Sequence, residues 1–128
     1  MPIEKIGTLI VGGGQAGLAM SEQLSKRGLS HLVLERHRIA ERWRSERWDG
    51  LHANGPAWHD RLPGLPIAGV DPDGFATRNQ MVDYFVAYAE RIEAPIHTVP
   101  GNHDSRNVGY LHFEDLIGPR MWTAEVED

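Results

Sequence analysis

The apolar positions in the first third of the chain predict a strand, a helix and a second strand, in that order. The apolar run Ile6–Val11 predicts a strand, because short apolar runs bounded by glycine are typical of strands. A helical period covers Gln15–Arg27 and ends at Gly28, and a second apolar run predicts a strand over His31–Glu35. The face of this helix that packs on the sheet is predicted to contain Ala16, Ala19, Met20 and Leu24.

The second half of the chain contains one clear amphipathic helix. Thr77 and Gln80 have the spacing of a capping box, which predicts the start of a helix, and Pro95 predicts its end. Ile96–Val99 is predicted to be a third strand, parallel to the first two, because right-handed helical crossovers join parallel strands. The apolar stripe of this helix is predicted to contain Met81, Phe85, Tyr88 and Ile92.

Three further segments have weaker patterns. A short helix is predicted over Ile39–Arg47. Residues 48–76 are rich in proline and glycine, which predicts a long irregular segment of the kind that usually carries function. Near the end of the chain, Tyr110–Phe113 and Met121–Val126 are predicted to form a small β-hairpin.

Composition narrows the classes of protein to which the chain can belong. The 128 residues carry a formal net charge of −5, which argues against electrostatic nucleic-acid binding. No cysteine is present, so disulfides, thiolate metal sites and cysteine nucleophiles are excluded. The run Ile6–Val11 is too short to span a bilayer and no signal-peptide pattern precedes it, so we expect no membrane segment and a cytoplasmic location.

The turn between the first strand and the first helix reads G-G-G-Q-A-G, which contains the dinucleotide-binding motif G-x-G-x-x-G. Gly12 permits the tight turn, Gly14 lets a pyrophosphate approach the backbone, and Gly17 lets the helix pack close to the sheet. Glu35 ends the next strand and is placed to bind the adenosine ribose; its charge would repel a 2′-phosphate, so FAD or NAD fits and NADP does not. The alternative is a glycine-rich turn without a ligand. The pattern predicts an α/β fold with a parallel, Rossmann-like sheet.

Five further motifs follow the glycine motif in a fixed order. They are Trp43, Trp48–Leu51, Asn54–Pro56, Leu62–Pro66 and Ala76–Gln80. In order and spacing, residues 3 to about 99 resemble the flavin-containing and Baeyer–Villiger-type monooxygenases, which use FAD and NADPH. The resemblance implies a Rossmann-like FAD-binding domain. In intact family members it implies oxygen insertion into a small-molecule substrate through a flavin C4a-(hydro)peroxide.

The resemblance also implies roles for particular residues. The FAD pyrophosphate would be held by Gly12, Gly14, Gln15, Ala16 and Gly17. The other cofactor-binding residues would be Glu35 at the ribose, Arg36 near the adenine, Trp43 and Arg44 along the ribityl path, and Gln80. Asn54 would lie beside the flavin ring and support its oxygenated form, which makes it the candidate catalytic residue. From the residues alone, turn chemistry explains Asn54 better, and a lid over the core explains the tryptophans equally well.

The chain departs from the family after residue 99. It has no second G-x-G-x-x-G for NADPH, and Pro100–Asp104 replaces an expected strand. We therefore interpret residues 1–128 as a single, incomplete FAD-binding domain with a divergent end at 100–128, part of a longer flavoprotein and inactive alone. The alternative is a non-catalytic FAD- or NAD-binding module. Gly101–Asp104 matches one metallophosphoesterase motif, but the companion motifs are absent, so no metal site is predicted.

Overall fold

The computed structural model describes residues 3–99 and 123–126, which belong to two compact units. The first unit lies within residues 1–38 and 94–128, and the second unit consists of residues 39–93. In chain order the elements are β1 (Ile3–Ile6), β2 (Thr8–Val11), α1 (Gln15–Lys26), β3 (His31–Glu35), α2 (Glu41–Ser45), α3 (Ala57–Asp60), α4 (Arg78–Arg91), β4 (Ile96–Thr98) and β5 (Thr123–Val126).

Parallel strands make up two sheets in the first unit. β2, β3 and β4 are hydrogen-bonded neighbours in that order, and β1 pairs with β5. Every one of these pairs is parallel, which confirms the predicted α/β fold with a parallel sheet. Leu32 and Val33 on β3 are fully buried, as expected for a central strand covered on both faces.

The strand predicted over Ile6–Val11 is wrong in its bounds. The structure has two short strands, β1 and β2, which meet at Gly7 and have different partners. The N–H of Gly7 donates to Ser30 Oγ at 3.2 Å and not to a neighbouring strand. A change of hydrogen-bond partner within an apolar run leaves no trace in the apolar pattern, so the sequence could not predict it.

α1 packs against β2 and β3 through a face that the apolar spacing did not predict. Its buried residues are Leu18, Ser21 and Glu22, whereas Met20 of the predicted face is 52% exposed. The reason lies at Gly17, where an added Cβ would come within 3.4 Å of a side-chain carbon on β2. The absence of a side chain at Gly17 lets this part of α1 lie close to β2, and the adjacent Leu18 is fully buried.

The buried hydroxyl under α1 has a hydrogen-bond partner on β3. Ser21 Oγ lies 2.8 Å from His31 Nε2, and His31 Nδ1 lies 2.9 Å from the carbonyl oxygen of Leu29. Because a carbonyl only accepts, we assign the proton of the neutral ring to Nδ1, and Nε2 then accepts from the hydroxyl. This pair removes the cost of burying a polar group between helix and sheet.

α4 begins with the predicted capping box. Thr77 Oγ1 accepts from the Gln80 N–H at 3.2 Å, and Gln80 Oε1 accepts from the Thr77 N–H at 2.9 Å. The helix ends at Arg91, before the predicted stop at Pro95, because Glu93 has a φ of +51° and reverses the chain. The buried residues of α4 are Met81, Val82, Tyr84, Phe85, Tyr88 and Ala89, which include three of the four predicted positions.

The buried phenol of Tyr84 on α4 holds part of the irregular segment that precedes this helix. Tyr84 Oη accepts from the Leu62 N–H at 2.6 Å and donates to the Leu65 carbonyl at 2.8 Å. The Ala53 N–H also donates to the Ala76 carbonyl at 2.8 Å. The segment therefore has a defined path although it contains little regular structure.

Two short helices lie in the second unit. The helix predicted over Ile39–Arg47 is present as the shorter α2. α3 was not predicted, because its four residues are too few for a periodic pattern. The first N–H groups of α3 find partners across the irregular segment: Ala57 donates to the Gly74 carbonyl at 2.8 Å and Trp58 to the Pro72 carbonyl at 3.0 Å.

The predicted C-terminal hairpin is only partly covered by the described residues. Its first strand, Tyr110–Phe113, lies outside them, so the hairpin itself stays a prediction. Its second strand is present as β5, and the pairing that the structure describes for β5 is parallel, with β1. The strand was therefore predicted within a few residues, but this partner was not.

The helices in the described part of the chain are short. The longest, α4, has 14 residues, whereas crossing the apolar core of a bilayer takes about 20. No helix among residues 3–99 is long and apolar enough to cross a membrane.

Candidate dinucleotide-binding site

The glycine turn after β2 has the geometry that its motif predicts. Gly12 has a φ of +104°, a region that residues with side chains rarely adopt, and its N–H donates to the Leu34 carbonyl at 2.7 Å. A Cβ added at Gly17 would collide with the carbonyl oxygen of Gly12. Gly12 therefore makes the tight turn after β2, and Gly17 allows the start of α1 to lie directly against the backbone of Gly12.

Gly14 faces open space at the N-terminus of α1. A Cβ added there would meet no atom within 4 Å, and its φ of −79° suits any residue. No side chain caps this end of the helix, and its first turn, which begins with the exposed Gln15 and Ala16, contains no acidic residue. The unpaired N–H groups and the positive end of the helix dipole are therefore available to an anion.

Glu35 reaches from the end of β3 to the glycine turn. Its Oε2 accepts from the Gly13 N–H at 2.7 Å, and its Oε1 accepts from the His37 N–H at 3.0 Å. The sequence predicted that Glu35 would face a ribose, but it did not predict the bond to Gly13. That bond places the carboxylate within the turn itself, so a group bound at the turn would also meet the negative charge. Arg36 follows and is exposed.

Trp43 and Arg44 lie on α2 in the second unit. The Trp43 ring is 6.2 Å from the Phe85 ring on α4, and the guanidinium carbon of Arg47 is 6.0 Å from the Trp43 ring centroid. Arg44 Nε donates to the Ile39 carbonyl at 3.4 Å. Trp43 thus has a packing role in the second unit, and its cofactor role stays a prediction.

Asn54 and Gln80 also lie in the second unit. Asn54 is exposed and precedes Gly55, whose N–H donates to Asp60 Oδ2 at 2.9 Å. Besides its bonds in the capping box, Gln80 donates from Nε2 to the Gly69 carbonyl at 3.3 Å. The amide of Gln80 is therefore occupied by structural contacts, of which the T-x-x-Q pattern predicted the capping box and not the bond to Gly69. Contact of either residue with a cofactor stays a prediction.

The described residues hold no evident metal centre. No group of three or more potential ligands comes together in residues 3–99. The motif Gly101–Asp104 lies outside the described residues.

Comparison with known proteins supports the dinucleotide motif. A family model described as an NAD(P)-binding Rossmann-like domain matches residues 10–63. The flavin-containing monooxygenase from Stenotrophomonas maltophilia superposes with a TM-score of 0.62 at 26% sequence identity, over 73% of this chain and 28% of that one. The chain resembles the FAD-binding part of the flavin-dependent monooxygenases. The resemblance stated from the sequence motifs is thus confirmed.

Two curated relatives agree with this family. An uncharacterized CzcO-like oxidoreductase of Geobacillus kaustophilus (strain HTA426) is 37% identical over 93 residues, which are 72% of this chain and 26% of that protein. The probable indole-3-pyruvate monooxygenase YUCCA1 of Arabidopsis thaliana is 38% identical over 124 residues, which are 95% of this chain and 28% of that protein. The chain therefore spans about a quarter of the length of these relatives.

Proposed function

We propose that this chain is the FAD-binding portion of a flavin-dependent, NADPH-using monooxygenase or oxidoreductase. The observation that carries the proposal is the turn at Gly12–Gly17, with its uncapped helix end, the open space at Gly14 and the carboxylate of Glu35 bound to Gly13. These features suit the two ends of an adenosine diphosphate group, since the helix end attracts phosphate and the carboxylate accepts hydroxyl hydrogen bonds.

The residues of the turn would divide the binding of FAD between them. The N–H groups of the first turn of α1, at Gln15 and Ala16, would hold the pyrophosphate, and Gly14 leaves room for it. Glu35 would accept from the ribose hydroxyls, and it would repel the 2′-phosphate of NADP. When bound, FAD supplies the electron transfer and the reaction with oxygen in such enzymes.

The residues of the second unit would serve the flavin end of the cofactor. We propose that Trp43 and Arg44 line the ribityl chain, and that the amide of Asn54 hydrogen-bonds to the flavin ring, with Gln80 nearby. The exposure of Asn54 supports this proposal, because its amide is accessible to a ligand. We expect no NADPH-driven oxygenation by the chain alone.

A second candidate function is a non-catalytic module that binds NAD. The family model that matches residues 10–63 is described by NAD(P) and not by FAD, and the same turn would accept either adenine dinucleotide. Titration of the chain with FAD, NAD and NADP distinguishes the two functions. Tight binding of FAD with yellow colour supports the flavoprotein, whereas thermal stabilisation by NAD and not by FAD supports the alternative.

The substitution Gly14→Val tests whether the turn is the binding site. The backbone at Gly14 tolerates a side chain, but the valine would occupy the place of the pyrophosphate. We expect isothermal titration to show FAD affinity lowered by at least about 100-fold, which corresponds to about 2.7 kcal/mol. The melting temperature of the variant should fall by only a few degrees, because valine replaces glycine at the N-cap of α1 without meeting a neighbouring atom.

Ser25→Val is the matched control, since it adds the same side chain to an exposed position at the other end of α1. It should leave FAD binding unchanged. If Gly14→Val binds FAD as tightly as the wild type, the site is wrongly placed and the proposal fails.

A further inference from the structure

Asn54 and Gly55 form an asparagine–glycine pair, a sequence prone to chemical loss of the asparagine amide. In this reaction the backbone nitrogen of Gly55 gives its proton to a base and attacks Cγ of Asn54. The Cγ–Nδ2 bond breaks, the amide nitrogen takes up a proton, and ammonia leaves. Water then opens the cyclic imide to aspartate or isoaspartate. Asn54 is exposed and glycine offers no side chain to shield the nitrogen, so the pair is accessible to this reaction.

The structure holds the attacking nitrogen against a carboxylate. The Gly55 N–H donates to Asp60 Oδ2 at 2.9 Å, and Asp60 Oδ1 lies 2.8 Å from His59 Nδ1. The Asp60 side chain is only 22% exposed, and its backbone N–H donates to the Pro56 carbonyl at 3.1 Å, which places it on α3. A Cβ added at Gly55 would collide with Asp60 Oδ1 and lie 2.9 Å from Asp60 Cγ and from His59 Nδ1. Only glycine allows so close an approach.

This contact opposes deamidation in two ways. The nitrogen must first lose a proton that is held in a charge-assisted hydrogen bond, which is stronger than a neutral one. The negative charge that then develops on the nitrogen lies beside the negative charge of Asp60, and like charges at this distance repel strongly in a partly buried place. The hydrogen bond to Asp60 also occupies the Gly55 N–H, so a water molecule or a hydroxide ion that would act as the base has no access to that proton.

We propose that Asp60, held by α3 and by its contact with His59, protects the amide of Asn54 from deamidation. The protection does not depend on FAD binding. It would preserve the neutral amide that the proposed function requires at position 54, where deamidation would place a carboxylate. It also assigns a role to α3, which would hold the Asp60 carboxylate against the peptide bond between Asn54 and Gly55, five residues earlier in the chain.

The experiment compares the rate of deamidation at Asn54 in the folded and unfolded chain. Full-length protein is incubated at mildly alkaline pH, with and without urea, and the fraction of Asn54 converted is followed by peptide mass spectrometry as a gain of about one dalton. We expect the folded wild type to react at least about tenfold more slowly than the unfolded chain. Asn79, which precedes Gln80 on α4, is the internal reference in the same digest.

Two substitutions assign the protection to Asp60. Asp60→Ala removes the acceptor and the charge, and we expect folded Asp60→Ala to deamidate at Asn54 about tenfold faster than the folded wild type. Asp60→Asn keeps an acceptor oxygen without the charge, so its rate should fall between the two. Asp49→Ala is the matched control, because Asp49 Oδ1 pairs with Arg78 Nη1 at 2.8 Å elsewhere in the irregular segment. It should not change the rate at Asn54.

Three results would overturn the proposal. The first is equal rates at Asn54 in the folded and unfolded wild type. The second is an unchanged rate in a folded Asp60 variant, as judged by circular dichroism and thermal melting. The third is equal acceleration by Asp49→Ala, which would mean that general rigidity of the segment protects Asn54. Should Asp60→Ala not fold, Asp60→Asn and the wild-type comparison still decide.

Discussion

The two units of the molecule differ in the contacts that stabilise each of them internally. In the first unit, backbone ladders join β2, β3 and β4, and glycine turns connect strand to helix. In the second unit, the only described strand-like pairing is an isolated bridge between His52 and Thr77, and side chains bond to distant backbone groups instead. Tyr84, for example, binds the backbone 22 residues earlier, at Leu62.

This difference determines which substitutions each unit tolerates. In the first unit the sensitive positions include the glycines of the turn: Gly12 has a positive φ, and Gly17 leaves no space for a side chain beside the Gly12 carbonyl. In the second unit single polar side chains hold the chain path, so the loss of one hydroxyl or carboxylate should loosen a whole segment. The candidate phosphate-binding turn lies in the first unit, and Asn54 lies in the second.

The largest effect is expected from Gly17→Ala in the first unit. The added methyl group would collide with the Gly12 carbonyl, which is backbone and cannot move aside without disturbing the turn. We expect the free energy of unfolding to fall by about 3 kcal/mol, as measured by urea denaturation. Gly14→Ala is the control: its methyl group meets no atom within 4 Å, so the loss should be about 1 kcal/mol at most, which reflects the preference for glycine over alanine at a helix N-cap. Equal losses in the two variants would contradict the packing of α1 on the turn.

An intermediate effect is expected from Tyr84→Phe in the second unit. The substitution keeps the ring but leaves the buried Leu62 N–H and the Leu65 carbonyl without the phenol. Unpaired buried groups of this kind cost about 2 kcal/mol in total. Hydrogen exchange should show faster exchange of the Leu62 amide, while amides of β3 keep their protection. Uniform loss of protection in both units would mean that they unfold together, and the contrast between them would not hold.

The smallest effect is expected from Glu35→Gln, which changes the side chain that joins the end of β3 to the glycine turn. Glutamine has one acceptor oxygen, whereas the carboxylate accepts from both Gly13 and His37. We expect a loss of about 1 kcal/mol in stability and about fivefold weaker FAD binding, measured by thermal melting and calorimetry. Glu46→Gln removes the same charge from the exposed pair with Arg42 and should change neither. An unaltered affinity for FAD in Glu35→Gln would remove Glu35 from the site.

The sequence predicted much of the fold because the relevant signals are local. The glycine motif, the capping box at Thr77 and the apolar runs each depend on residues within one turn or strand. The apolar spacing predicts the wrong packing face for α1, because it identifies apolar residues and not the close approach that the missing side chain at Gly17 allows. α3 and its partners were not predicted, because a helix of one turn has no period to detect.

The sequence by itself determined the approximate positions of most strands and helices, the capping box of α4 and the place of the glycine turn. Tertiary structure decided which distant groups the polar residues contact: Glu35 binds the Gly13 N–H, Gln80 Nε2 binds the Gly69 carbonyl, and Asp60 lies against Gly55. The physical reason is that periodicity and backbone conformation depend on neighbours along the chain. A hydrogen bond between distant residues depends on where folding brings the two partners, and no local pattern encodes that position.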